Sequence, residues 1–402
     1  MNQVSAETYR AISDGRATFT PQVKWFIDGS SGLDLSSRFL RVGPIERSIV
    51  PLMGDYFVSR ATVELDDSDN ALNTDAPSSV SMISGLSQAR RHYTAFEIKF
   101  LVNETGESIP FYRGFITKIT RSQPGLAVFT VQDALSTVFG IDMPELRAIA
   151  GFGIGAMIQT LLTDFTFLTT FDFHTASFSH AANFHAAMSW VCFGSMQEMS
   201  IGQAIHGLAR SGFGVLSMDE SGKVRYDVEA PPGPWVGSTR AIRTMPLTFD
   251  ETNAENWEPE EDMALLATEV KVNYFGGYTL KRDETLETHI GRVTRSISCP
   301  FLAWARCAAY ATEIGLAMLS QALTMSFSPR QPMLGMIAQL YDRVQCQPPG
   351  GTLRTYRIIN KQISFPGECR LTCVREGHWD SILDKSTFTT WGAGTWGAGE
   401  MF

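Results

Sequence analysis

FYRGFITKITRSQPGLAVFTVQDALSTV, residues 111–138, decides the fold. It reads strand, turn, strand: SQPG breaks the run, and Ala127, Phe129 and Val131 then alternate along LAVFTVQD. A period of two puts every second side chain on one face, as in a strand with one side buried. Just upstream, Phe96, Ile98 and Phe100 alternate in FEIKFLV, and NETGES supplies the turn back. Short alternating strands divided by Gly and Asn/Asp turns predict a β-barrel or sandwich across residues 15–140. The polar run 66–91 interrupts it and reads as a long loop.

Residues 141–240 change character and read as an inserted α+β domain. Pro144 to Leu162 is helix-like, with Leu146, Ile149, Ile154, Met157, Ile158 and Leu161 toward one side. Ser200 and Gln203 form a capping box for a second helix, which stops at Gly212 and Gly214. A hairpin follows, turning at Asp219 to Gly222, with Val224, Tyr226 and Val228 facing one way. From 241 to 385 strands return. The acidic run DETNAENWEPEED (250–262) reads as a solvated connector, ATEVKVNYFGGY as a strand and FLAWARCAAYATEIGLAMLSQAL as a helix. TYRIINKQISF and CRLTCVRE close the chain as a strand pair. The expected fold class is α+β, mainly β: two β-rich halves, 15–140 and 241–385, around the insertion.

Residues 386–402 carry TWGAG twice, at Thr390–Gly394 and Thr395–Gly399. Two five-residue copies cannot build a solenoid. Such a segment has no core of its own, and its indoles need pockets supplied from elsewhere. Trp391, Trp396 and Phe402 therefore read as partner-docking residues, with packing of the tail on its own domain as the alternative.

Of 402 residues, 44% are hydrophobic and 19% charged, which excludes a disordered chain and predicts two to three domains with a large core. A net charge of -9 excludes an electrostatic grip on nucleic acid, which needs clustered Lys and Arg. It still lets double-stranded DNA slide past without specific binding. No apolar stretch reaches the ~18 residues of a membrane span. The start MNQVSAETYRAISDGR has no signal-peptide pattern, so a soluble protein folding in a cytoplasm is expected. Six cysteines are too few for a disulfide scaffold of this length. Cys369 and Cys373, four apart in a strand, share a face and read as buried thiols.

His174, His180 and His185 precede Cys192, but their spacing fits no compact zinc pattern and no carboxylate lies among them. They read as core or interface histidines. Asp66, Asp67 and Asp69 lack the glycine and terminal Glu of a calcium hand and read as solvated charge. Cys192 and Cys299 have no evident base. Gly151, Gly153 and Gly155 lack the preceding strand and the GK[ST] of a phosphate loop. No catalytic residue, metal ligand or cofactor is expected, and the chain does not read as an enzyme.

Four stretches, in this order, resemble the baseplate or tail-tip hub proteins of tailed bacteriophages, relatives of which form the base of the spike in contractile injection systems. They are Phe111 to Val138, Met199 to Val228, Thr268 to Gly277 with the Ala-rich helix Phe301 to Leu323, and the closing strand pair. The resemblance spans about residues 15 to 375. It implies a homotrimeric ring in which each subunit gives two tube-forming β-barrel-like domains. Six such domains would face a sixfold tail tube or distal tail protein, and the threefold side would face a central spike or fibre. It further implies a tape measure protein as partner, a channel for DNA ejection, and a place at the virion tail tip after assembly in the host cytoplasm. Two other readings are a tail-tip receptor- or glycan-binding protein, with Trp391 and Trp396 as stacking platforms, and a tail-associated cell-wall hydrolase. The hydrolase would need about 100–150 residues beyond the hub core, for which the chain has no room.

Overall fold

The computed structural model describes residues 4–27, 32–50, 55–56, 59–73, 83, 94–138, 141–142, 147–151, 153–166, 168–169, 172–187, 189–196, 199–228, 247–261, 266–319 and 323–375. The first part comprises α1 (Ala6–Ser13), β1 (Phe19–Phe26), β2 (Leu33–Asp34), β3 (Phe39–Val50), β4 (Asp55–Tyr56), β5 (Arg60–Asp66), β6 (Ala95–Val102), β7 (Glu107–Gln123), β8 (Leu126–Gln132) and α2 (Leu135–Val138). The middle holds β9 (Arg147–Gly151), α3 (Ile154–Phe165), α4 (Thr175–Ala187), β10 (Cys192–Met196), α5 (Ile201–Ser211), β11 (Gly214–Met218) and β12 (Val224–Val228). Then come β13 (Leu247–Phe249), β14 (Ala254–Glu261), β15 (Glu269–Tyr274), β16 (Gly277–Arg282), α6 (Glu284–Ile290), β17 (Thr294–Ser298) and α7 (Ala305–Leu319). The last elements are β18 (Leu323–Pro329), α8 (Pro332–Ile337), β19 (Arg343–Cys346), β20 (Arg354–Phe365) and β21 (Cys369–Arg375).

The chain is mainly β, as its alternation predicts. Strands of both β-rich halves join one sheet, ordered β14-β18-β21-β20-β3-β5-β8-β7-β6-β1-β2, with β13, β19 and β4 paired at its side. Its path is open and ends at β14 and β2, so no barrel closes among the described residues. The halves meet at the β3–β20 ladder, where Ser48, Arg47 and Glu46 stand opposite Asn360, Lys361 and Gln362. The core follows the period-two pattern: Phe96, Ile98, Phe100 and Val102 of β6 are buried, as are Ala127, Phe129 and Val131 of β8. Trp25 meets Phe129 edge-on at 5.3 Å, and Phe100 meets Phe111 at 5.2 Å, a geometry that adds to simple area burial.

β8 ends in Asp133, which is fully buried. Its carboxylate accepts from Ser59 N at 2.7 Å, Ser59 Oγ at 2.8 Å and Ser136 N at 3.2 Å, the last bond starting α2. Tyr112 donates to the Ser59 carbonyl at 3.0 Å, so Asp133 and Ser59 together tie the start of β5 to β7 and the end of β8.

In the insertion, the capping box of Ser200 and Gln203 and the helix end at Gly212 stand as expected. The helix expected over 144–162 starts only at Ile154. Residues 147–151 form β9 instead, paired with β10, because ladder bonds to Cys192–Met196 outweigh a weak helical period. A strand thus does precede Gly153 and Gly155. The hairpin turns at Asp219–Gly222 as expected, yet every residue of β11 and β12 is buried, so both its faces are covered.

The acidic run 250–262 is not a connector. Ala254–Glu261 is edge strand β14, paired on one side with β18, and Glu255, Glu258 and Glu260 are exposed. Single-sided pairing leaves the charges hydrated, which is why their composition looked like a loop. Between β14 and β18, strands β16-β15-β17 form a small sheet with α7 packed against it. Glu269 pins this unit, bonding Arg282, Arg292 (2.5 Å) and Thr294 (2.8 Å). Burial alone would raise its pKa, but these donors hold it at about 2.

Replacing Asp133 with Ala removes the side-chain acceptor of three donors, of which Ser136 N keeps the residue-133 carbonyl (3.2 Å) and Ser59 Oγ the Tyr112 hydroxyl (3.4 Å). Urea unfolding is expected to show a loss of about 2–4 kcal/mol, with Asp133→Asn recovering only part.

Candidate functional site

The hairpin turn carries a buried acid, Glu220, into the sheet. Arg47 on β3 and Lys361 on β20 are direct ladder partners, and both side chains are buried. Like charges opposite each other on a buried face repel. Glu220, from the turn after β11, lies between them, 3.0 Å from Arg47 Nη1 and 2.9 Å from Lys361 Nζ. Lys361 also donates to the carbonyls of Ala338 (2.6 Å) and Met336 (3.4 Å), and the Arg47 guanidinium lies 5.4 Å above the Tyr112 ring. A cavity of about 10 Å³ among Ile45, Arg47, Phe111, Glu220 and Lys361 has room for at most one water. Burial by itself would raise the Glu220 pKa, but Lys361 and Arg47 hold it below its ordinary value.

The same hairpin makes a second buried connection. Arg225 grips Asp227 through two bonds of 3.1 Å and reaches Gln339 at 2.5 Å, while Asp342 accepts from Gln339 N at 2.8 Å. At the turn, Gly222 has φ +78° and presses on Arg113 of β7, where an added Cβ would lie 2.9 Å from the Arg113 side chain. The turn therefore touches β3, β7 and β20 together, locking the insertion against both halves of the sheet.

The residues singled out for chemistry are structural. His185 is fully buried, with Nε2 donating to the Gly212 carbonyl at 2.8 Å, and burial pushes it down to about 4, so the ring is neutral. His180 is buried on the same helix, and His174 Nδ1 accepts from Ser177 N at 3.2 Å. Among the described residues no group of three His, Cys, Asp or Glu is placed to hold a metal ion. All six cysteines are buried and free, and burial pushes Cys299 and Cys369 up to about 12, away from the reactive thiolate. The aspartates of 66–69 are not simply solvated. Asp67 is buried against Arg121 (3.1 Å) and Leu72 N (2.7 Å), and Asp69 holds Arg38 through two bonds of 2.6 and 2.7 Å. Among the described residues no helix is long and apolar enough to cross a membrane. Trp391, Trp396 and Phe402 lie outside the described residues. Sequence reasoning missed Arg47, Glu220 and Lys361, because nothing local marks three charges far apart in the chain as partners.

No family model matches the chain, and no curated protein matches it in sequence. Its architecture is shared by solved structures. A tail protein from Neisseria meningitidis MC58 superposes with TM-score 0.55 at 12% identity, covering 90% of this chain and 98% of its own. The 43 kDa tail protein of prophage MuSo2 from Shewanella oneidensis gives TM-score 0.55 at 11% identity, covering 90% and 99%. The fold is that of phage tail proteins over nearly its whole length.

Glu220→Ala leaves two buried cations face to face and is expected to cost about 3–5 kcal/mol in urea unfolding. A triple replacement, Arg47→Met, Glu220→Leu and Lys361→Met, is expected to recover most of that loss. The wild-type contribution of Glu220 is full above about pH 4.5, its unfolded value, and drains as pH falls through the lower folded value; Glu220→Gln removes this limb of the stability–pH curve.

Proposed function

We propose that this chain is a structural subunit of a phage tail, the hub at the tail tip, and not an enzyme. The observation that carries the proposal is the end-to-end match of fold with two tail proteins, each covered at 98% or more of its length. In this reading residues 15–140 and 241–385 supply two tube-forming, barrel-like walls, and 141–240 is the domain inserted between them. Three copies then present six walls toward the tail tube or distal tail protein and a threefold face toward a spike or fibre. The tape measure protein and double-stranded DNA occupy the central channel, and the net charge of -9 suits a conduit that does not retain DNA. The continuous β3–β20 ladder supports a rigid two-walled subunit, since both walls share one set of backbone hydrogen bonds.

Light scattering across a concentration series is expected to reveal a species near three times 44.4 kDa. A monomer at every concentration, together with a virion copy number that is not a multiple of three, overturns the ring.

A further inference from the structure

A cleft of about 520 Å³ runs across the sheet from β14 to β3, within the span of about 300–1,000 Å³ usual for small-ligand sites. Its lining comes from β14, β18, β21, β20, β3 and the turn joining β20 to β21, so every group in it belongs to one chain.

The bulge in β14 supplies the aromatic part. Glu255 faces Ser328 and Glu258 faces Ser326, so Asn256 and Trp257 together stand against Phe327 alone. Asn256 takes up the extra residue at φ +54°, which its short polar side chain tolerates. Trp257 stacks on Phe327 at 4.8 Å and 26°, and its half-buried indole lines the cleft. The indole N–H is buried and has no hydrogen-bond partner among the described residues. A buried donor without an acceptor costs stability, and an indole normally finds one.

The other groups are mostly polar. Arg370 of β21 and Gln362 of β20 are ladder partners, and both are exposed. Arg370 reaches across β18 to pair with Glu258 of β14. At the rim, Ser364 N donates to the Glu368 carbonyl at 3.0 Å, which fixes the turn and leaves Glu368 exposed.

These groups select a ligand by exclusion. Glu258 and Glu368 against one guanidinium, already paired, disfavour a phosphate or other anion. Among the described residues no three His, Cys, Asp or Glu converge to hold a metal ion. A wholly apolar ligand would strip water from the Glu258–Arg370 pair and return nothing for it. A sugar ring meets both demands. Its hydroxyls donate and accept, as carboxylates, guanidinium and amides need, and its C–H face suits an indole.

We infer that this cleft binds a short neutral saccharide, with Trp257 as its platform and Glu258, Gln362 and Arg370 as its hydrogen-bonding groups. The site is complete in one chain, so binding is expected whether or not three copies form a ring.

The test uses the full chain labelled with fluorotryptophan, in which Trp257→Phe identifies the Trp257 resonance among the 8 tryptophans. Maltose, cellobiose, lactose and diacetylchitobiose are titrated separately into the millimolar range, with glycerol and inorganic phosphate as controls. At least one disaccharide is expected to move that resonance along a saturating curve, and neither control is. Gln362→Ala and Arg370→Ala are each expected to raise the half-saturating concentration about threefold or more, with circular dichroism unchanged. Drift no different from that with glycerol for every disaccharide, saturation by phosphate, or saturation untouched by both substitutions each overturns the inference.

Discussion

Arg47 and Lys361 stand opposite each other on the buried face of the ladder that joins the two halves of the sheet, and Glu220 is the anion between them. The elements around the hairpin keep that acid in place. It sits at the tip of a tight turn whose Gly222 allows close approach to Arg113, on a hairpin buried on both faces, fixed from behind by α4 and α5. Remove the insertion and two buried cations face each other across the ladder without the anion between them. Docking of the insertion thus neutralises the seam that β3 and β20 share. One local ionic triad makes three segments of the chain a single structural unit.

A buried triad is not the most stabilising way to build a seam, because desolvating three charges costs about as much as their attraction returns. Its advantage is discrimination. Apolar residues at 47, 220 and 361 would tolerate the hairpin shifted by a residue or rotated. Charges tolerate one arrangement, and a misdocked turn leaves them unpaired in a dry interior. The Arg225–Asp227 pair reaching Gln339 applies the same constraint a few ångströms along the hairpin, so position and rotation are both fixed.

How much of this was legible in the sequence depended on range. The strands of 95–132, the capping box at Ser200 and the hairpin turn at Asp219 follow from neighbours within a few residues, where period and capping chemistry act. The segments 147–151 and 254–261 misled for opposite reasons. The first has a helical period that ladder pairing overrides. The second has the composition of a loop because an edge strand needs only one paired side and keeps its glutamates wet. Glu220 read simply as part of a turn, since its partners lie 141 and more residues away. Asp67 read as solvated for the same reason, with Arg121 well beyond any local window. The Trp repeats showed only that indoles need pockets.

Both ends of the sheet are closed to casual strand addition. At one edge β14 carries a bulge at Asn256, where φ is +54°, a proline at 259 that has no donor, and a row of exposed glutamates. At the other, the backbone of Val23 is taken by Ser36 Oγ (2.9 Å) and Leu35 N (2.8 Å), and Pro21 removes a further donor. A sheet this long with open edges would pair with any similar strand it met, including its own copies during synthesis. Closing the edges forces contacts with other subunits onto side chains, through shape and charge, instead of onto shared ladders. Side-chain contacts can be specific to one partner and one angle, whereas backbone ladders are nearly blind to sequence.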